Sequence, residues 1–144
     1  MNAGVAVAVA VIFAWLGIVI AISFIEAPLK FRAPGVTLQI GLGIGRLVFR
    51  AVNSVEVVLA VAAIVGLLVG GRPMGGFIAA LVAAVALAAQ LLAVRPRLTR
   101  RSDAVLADPE AAGQTRSRAH YAYVAFEVVK VVALLTGGVL LLAT

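Results

Sequence analysis

The segment "YVAFEVVKVVALL", residues 123–135, sets a carboxylate, Glu127, and an ammonium, Lys130, three residues apart in an otherwise aliphatic and aromatic run. A second run, "RLVFRAVNSVEVVLAVAAIVGLLVG" (46–70), carries Asn53 and Glu56 in the same kind of surroundings. Two carboxylates, one ammonium and an amide can bind a polar solute or an ion, or pass a proton. His120 and Tyr123, upstream of Glu127, add a titratable ring and a phenol to the set. The question is what holds these groups and whether they meet.

Composition supplies the setting. Hydrophobic residues are 64% and charged residues 12% of 144, against roughly 45 to 50% and about 25% in soluble domains. Four apolar blocks, about 4–25, 47–70, 75–94 and 121–143, each approach the ~20 residues that a helix needs to cross hydrocarbon. The expected fold is all-α, a polytopic membrane protein built as a four-transmembrane-helix bundle in one domain. "GVAVAVAVAV" alternates like a strand, but an open sheet cannot cross lipid and the later continuous runs cannot build a barrel. The first block lacks a basic leader, exceeds a signal h-region and ends in "IEAPLKF", so it is expected to be retained as a span.

Helical rise converts sequence position into depth. Counted from Arg46, Asn53 lies roughly 10 Å and Glu56 about 15 Å along the second span; counted from His120, Glu127 and Lys130 lie at the same two depths. Phe49, Asn53 and Glu56 share one face, and His120, Tyr123, Glu127 and Lys130 share another. An ionised group at mid-membrane costs at least ~2.5 to 3.5 kcal/mol, so the two stripes should face each other. Glu56 is therefore expected to pair with Lys130 across the bundle, with Asn53 opposite Glu127. Gln90 on the third span and Glu26 at the end of the first are expected to complete the ring.

Other chemistries find less support. With no cysteine there is no disulfide, thiolate site or redox thiol, and a single histidine, seven residues from Glu127, does not make a bundle di-metal site. Ser23, Ser54 and Thr136 have no histidine at comparable depth to act as a base. No cofactor is specified. "GLGIG" (41–45) lacks the spacing and the preceding strand of a dinucleotide fingerprint. The segment "APGVTLQIGLGIGR" is expected to be a short interfacial or re-entrant piece, in which Gly41, Gly43 and Gly45 allow backbone bends or close helix contact rather than ligand binding.

Charge sets an orientation. Lys30, Arg32, Arg46, Arg50, Arg95, Arg97, Arg100, Arg101, Arg116 and Arg118 fall in or beside the segments 26–46 and 95–119, with only Arg72 in the opposite loop. The positive-inside rule then puts both segments in the cytoplasm and both termini outside, in the cell's inner membrane. The net charge of +6 does not indicate nucleic acid, because no aromatic residues are interleaved with the basic ones for base stacking. Anionic lipid is the partner such arginines favour. The 95–119 segment, with Asp103, Asp108, Pro109 and Glu110, is expected to be a mixed-charge linker with one short interfacial helix.

"FAWLG" (13–17), "APLKF" (27–31), "GRLVF" (45–49) and "HYAY" (120–123) resemble the pattern of a family of small four-helix membrane proteins. That family includes a transmembrane protein associated with tolerance of platinum drugs. The resemblance covers about 13–56 and the start of the last span, and would make Trp15, Gly17, Pro28, Phe31, Phe49 and His120 family positions. Glu56, Glu127 and Lys130 lie outside its pattern. It implies architecture and no defined activity.

Three readings follow from the residues. In the first, the polar set binds or passes a small polar solute or ion through a cytoplasm-facing cavity, in a protein that self-associates or joins a membrane complex. In the second, the ion pairs fix helix register in a non-catalytic accessory subunit. In the third, the cavity opens sideways to lipid and serves a membrane enzyme or a quinone or lipid binder.

Overall fold

The computed structural model describes residues 1–108 and 118–144, and the described residues are helical apart from short connections. Among the described residues four helices are long and apolar enough to cross a membrane: α1 Ala3–Lys30, α2 Leu38–Val69, α3 Met74–Ala104 and α4 His120–Leu142. Helix α3 continues to Ala107, and α4 begins at Arg118. Pro109, Glu110 and Arg116 of the expected linker lie outside the described residues. The chain is a four-helix bundle with the features of a multi-pass membrane protein.

Local chemistry sets the helix ends. Asn2 caps α1 by accepting from the Val5 N–H at 3.0 Å, while its Nδ2 donates to the Gly70 carbonyl at 2.9 Å, so one side chain ties the start of α1 to the end of α2. Thr37 caps α2 by accepting from the Ile40 N–H at 3.1 Å. Consequently the glycine-rich segment expected to lie at the interface or re-enter is instead, from Leu38 on, the first turns of a 32-residue helix. The cap and the apolar face next to it make a continuous helix the better way to satisfy the backbone.

Two spans share a departure from α geometry. Residues Ile20–Glu26 of α1 and Gln90–Val94 of α3 form π-helical segments, in which Ala27 N–H bonds the Ile22 carbonyl and Arg95 N–H bonds the Gln90 carbonyl. Pro28 and Pro96 follow two residues after each segment. A proline cannot donate to the carbonyl four residues back, and its ring crowds that carbonyl. The widened turn before each proline accommodates that loss, and π segments of this kind recur at functional sites.

The helices form a ring in which α1 packs on α2 and α4, and α3 packs on α4 and, less extensively, on α2. Small residues permit the close approach: a Cβ on Gly4 would sit 2.7 Å from the Gly66 carbonyl oxygen, and one on Gly70 would sit 2.6 Å from Val5. Gly66 and Gly70 are therefore used within the chain. Ala8, Ile12, Trp15 and Val19 of α1 meet Ala63 and Leu67 of α2, Ala80 and Ala83 of α3, and Leu134 and Leu141 of α4. The outer faces carry exposed Val, Leu and Ile along every span, as expected where the neighbour is lipid rather than water.

Candidate functional site

The polar residues converge on Lys130, whose side chain is 0% exposed. Its Nζ lies 2.6 Å from Glu56 Oε1 across the bundle, and it also bridges to Glu127 Oε1 on its own helix. The expected cross-bundle pair is thus present in the geometry. Burying it is tolerable only because further donors complete both carboxylates. Trp15 Nε1 donates to Glu56 Oε1 at 2.9 Å, Gln90 Nε2 to Glu127 Oε1 at 2.7 Å, and Ser23 Oγ to Glu127 Oε2 at 2.5 Å. All four spans contribute.

The π segments explain how α1 and α3 reach the cluster. Ser23 lies inside the first and Gln90 opens the second, and both end on the same carboxylate, Glu127. Gln90 also donates to the Tyr123 carbonyl at 3.1 Å. The ammonium of Lys130 stands between the two carboxylates. Among the described residues no group of three or more His, Asp or Glu is arranged to hold a metal.

Toward the basic end of the bundle, next to this cluster, lies a cavity of about 250 Å³ reached by all four spans. Glu127, Asn53, Tyr123 and His120 border it, whereas Glu56 and Lys130 do not. The wall is otherwise mostly apolar, with Phe24, Phe31, Leu42, Leu98 and Val124 contributing, and three cations, Lys30, Arg46 and Arg95, also line it. Tyr123 packs edge-on against Phe49, with ring centroids 5.8 Å apart.

Asn53 departs from the expected arrangement. It is 4% exposed and borders the cavity, yet neither Oδ1 nor Nδ2 makes a hydrogen bond. The Tyr123 side chain is close enough for a weak hydrogen-bond interaction with Asn53 but short of full hydrogen-bond geometry. The partner expected for Glu127 at this level is instead Ser23. Glu26 does not join the ring either: it closes the π segment and pairs with Lys30 at 3.6 Å one turn further along α1, toward the basic end.

The basic residues at the mouth are held in different ways. Lys30 Nζ lies 5.6 Å from the ring centres of both Phe31 and Phe49. Gly45 leaves the room it occupies, since a Cβ there would be 3.0 Å from that Nζ, and Gly41 does the same for the Phe31 ring, with 2.2 Å to Cε1. Arg46 pairs with Asp103 at 2.7 Å. Arg95 donates to the Phe49 carbonyl at 3.2 Å.

No family model, curated protein or solved structure matches the chain. The site is therefore read from its own geometry. Sequence reasoning missed Ser23 as a partner of Glu127, and Trp15 entered only through the family resemblance. A buried indole N–H needs an acceptor, so the only tryptophan in an apolar span was a usable signal. In the sequence, Lys30, Arg46 and Arg95 stand out as topology determinants and as contacts for anionic lipid at the leaflet, and nothing there marks them as the wall of a cavity.

Proposed function

We propose that this protein binds a small amphipathic or polar molecule within the membrane, in the cavity bordered by Asn53, Tyr123, His120 and Glu127. Asn53 carries the reading. Its buried amide offers two donors and an acceptor to the cavity, and a group of this kind is costly to leave unsatisfied in an apolar surround. In this reading Glu56, Lys130 and Trp15 form a rigid floor that fixes Glu127, and His120 and Tyr123 stand at the mouth. The basic end faces the cytoplasm in the inner membrane, following the charge asymmetry of the loops.

The family resemblance is compatible with this proposal. Trp15, Phe31, Phe49 and His120, four of the positions that carry it, lie against the cluster or on the cavity wall.

The test is native mass spectrometry of the protein extracted from its own membrane. A small-molecule adduct is expected on the wild type and should be lost in Val124→Trp, which fills the cavity from a wall position that makes none of the cluster's hydrogen bonds or ion pairs. An identical ligand complement on both proteins rejects the reading.

A second reading, a register-fixing core in a non-catalytic accessory subunit, is favoured by one observation: Glu56 and Lys130 are sealed away from the cavity. It predicts a stable larger complex in mild detergent and no dependence of that complex on Asn53.

A further inference from the structure

The cavity's electrostatics narrow its ligand, an inference that rests on the binding role just proposed. Glu127 borders the inner end, but Lys130, Gln90 and Ser23 already engage its two oxygens, so it is poorly placed to attract a cationic guest. Two rings of the wall, Phe31 and Phe49, already flank the ammonium of Lys30. What the cavity offers is positive charge. Lys30 and Arg46 have carboxylate neighbours in Glu26 and Asp103. Among the described residues Arg95 has no carboxylate within ion-pair distance; it donates one N–H to the Phe49 carbonyl. A guanidinium carries five N–H donors in a planar fork that matches carboxylate and phosphate oxygens.

The remaining wall is mostly apolar and reaches the membrane-facing surface. Phe24 of α1 is 41% exposed and Val124 of α4 is 38% exposed, and both line the cavity, which therefore extends to the outside between these two spans. The π segment Ile20–Glu26 shapes this edge, because Phe24 lies within it. At about 250 Å³, the cavity is below the roughly 300 to 1,000 Å³ of pockets that enclose drug-sized ligands. It has space for a headgroup and the first part of a chain.

We infer that the ligand is a single-chain anionic amphiphile drawn from the bilayer, a fatty carboxylate or alkyl phosphate. Its head sits on Arg95, with Lys30 and Arg46 alongside, and its chain leaves between α1 and α4 past Phe24 and Val124. Asn53 hydrogen-bonds the head from the inner side.

Native mass spectrometry of the delipidated full chain, titrated with palmitate, hexadecyl phosphate, hexadecanol and inorganic phosphate, tests this. Palmitate and hexadecyl phosphate should each bind one to one. Hexadecanol should bind at least about tenfold more weakly, and Arg95→Gln should weaken palmitate by a similar factor, the worth of one charge-assisted hydrogen bond. Arg95→Lys should recover part of the loss, and Val124→Trp should abolish binding. Hexadecanol binding as tightly as palmitate, with Arg95→Gln silent, would overturn the anionic assignment and leave the binding cavity standing. Displacement of palmitate by inorganic phosphate would overturn the lipid source in favour of a free anion. Palmitate binding unaffected by Val124→Trp, or no binding of any probe, would overturn this inference, while the adduct experiment on native membranes decides the cavity's binding role separately.

Discussion

Glu56 Oε1 receives two donors from two different helices, the ammonium of Lys130 on α4 at 2.6 Å and the indole N–H of Trp15 on α1 at 2.9 Å. One carboxylate oxygen on α2 thereby holds three spans in register. The cost of bringing it into hydrocarbon is offset by the same contacts that specify the packing.

Removing one member leaves its partners uncompensated. Lys130→Met leaves two buried carboxylates and is expected to destabilise the bundle by about 3 to 5 kcal/mol. Combining it with Glu56→Gln and Glu127→Gln should restore much of that loss, because no buried charge then lacks a partner. Unfolding in mixed micelles measures both. Additive losses across the three substitutions would reject the coupling.

Trp15→Phe keeps an aromatic ring, removes the donor to Glu56 and leaves a small cavity, because phenyl is smaller than indole at this fully buried position. A hydrogen bond to a charged group contributes about 1.5 to 3 kcal/mol, and a loss of at least that size is expected. As the only tryptophan, Trp15 also reports on its own surroundings. Its emission maximum should shift in Glu56→Gln and stay unchanged in Ser23→Ala, since Ser23 bonds the other carboxylate.

The glycines of α2 separate by position. At Gly41 a methyl group would overlap the Phe31 ring, so Gly41→Ala should cost about 1 to 3 kcal/mol through overpacking. At Gly43 nothing lies within 4 Å. Gly43→Ala should be neutral or stabilise by up to about 1 kcal/mol through helix propensity. Thermal denaturation of the two variants side by side distinguishes a packing role from a merely compositional one.

Asn2 links the start of α1 to the end of α2, and Asn2→Ala loses both the cap and the bond to the Gly70 carbonyl. A loss of about 1 kcal/mol is expected. Amide hydrogen exchange should rise in the first turn of α1 and the last turn of α2 together, while Thr37→Ala should raise it only at the start of α2.

Much of the site was legible because polar residues are so scarce in these spans. Glu56 and Lys130 lie at equal depth on the faces of their helices, and depth follows from rise per residue, so their pairing could be read by counting. Counting failed where the helix is not α. Ser23, inside the π turn of α1, reaches Glu127 where α spacing does not place it, because such turns change both rise and phase. Gln90, by contrast, opens the π turn of α3 and joins the ring as expected. Glu26 closes the π turn of α1 and falls outside the ring. The expected break before α2 failed for a different reason: of the two uses open to these glycines, bends or close contact, Gly41 and Gly45 serve the second, as notches inside a continuous helix that receive Phe31 and Lys30.

By itself the sequence determined four membrane-length apolar helices, the charge asymmetry between the bundle's ends, and two polar stripes that had to avoid lipid. These follow from composition and periodicity, which act on each helix alone. Only tertiary structure decided which donors complete Glu56 and Glu127, and that Glu56 and Lys130 are sealed while Glu127 and Asn53 border a cavity. It also decided that Arg95 lines that cavity. Those outcomes depend on how four helices are rotated against one another, and no single helix carries that information.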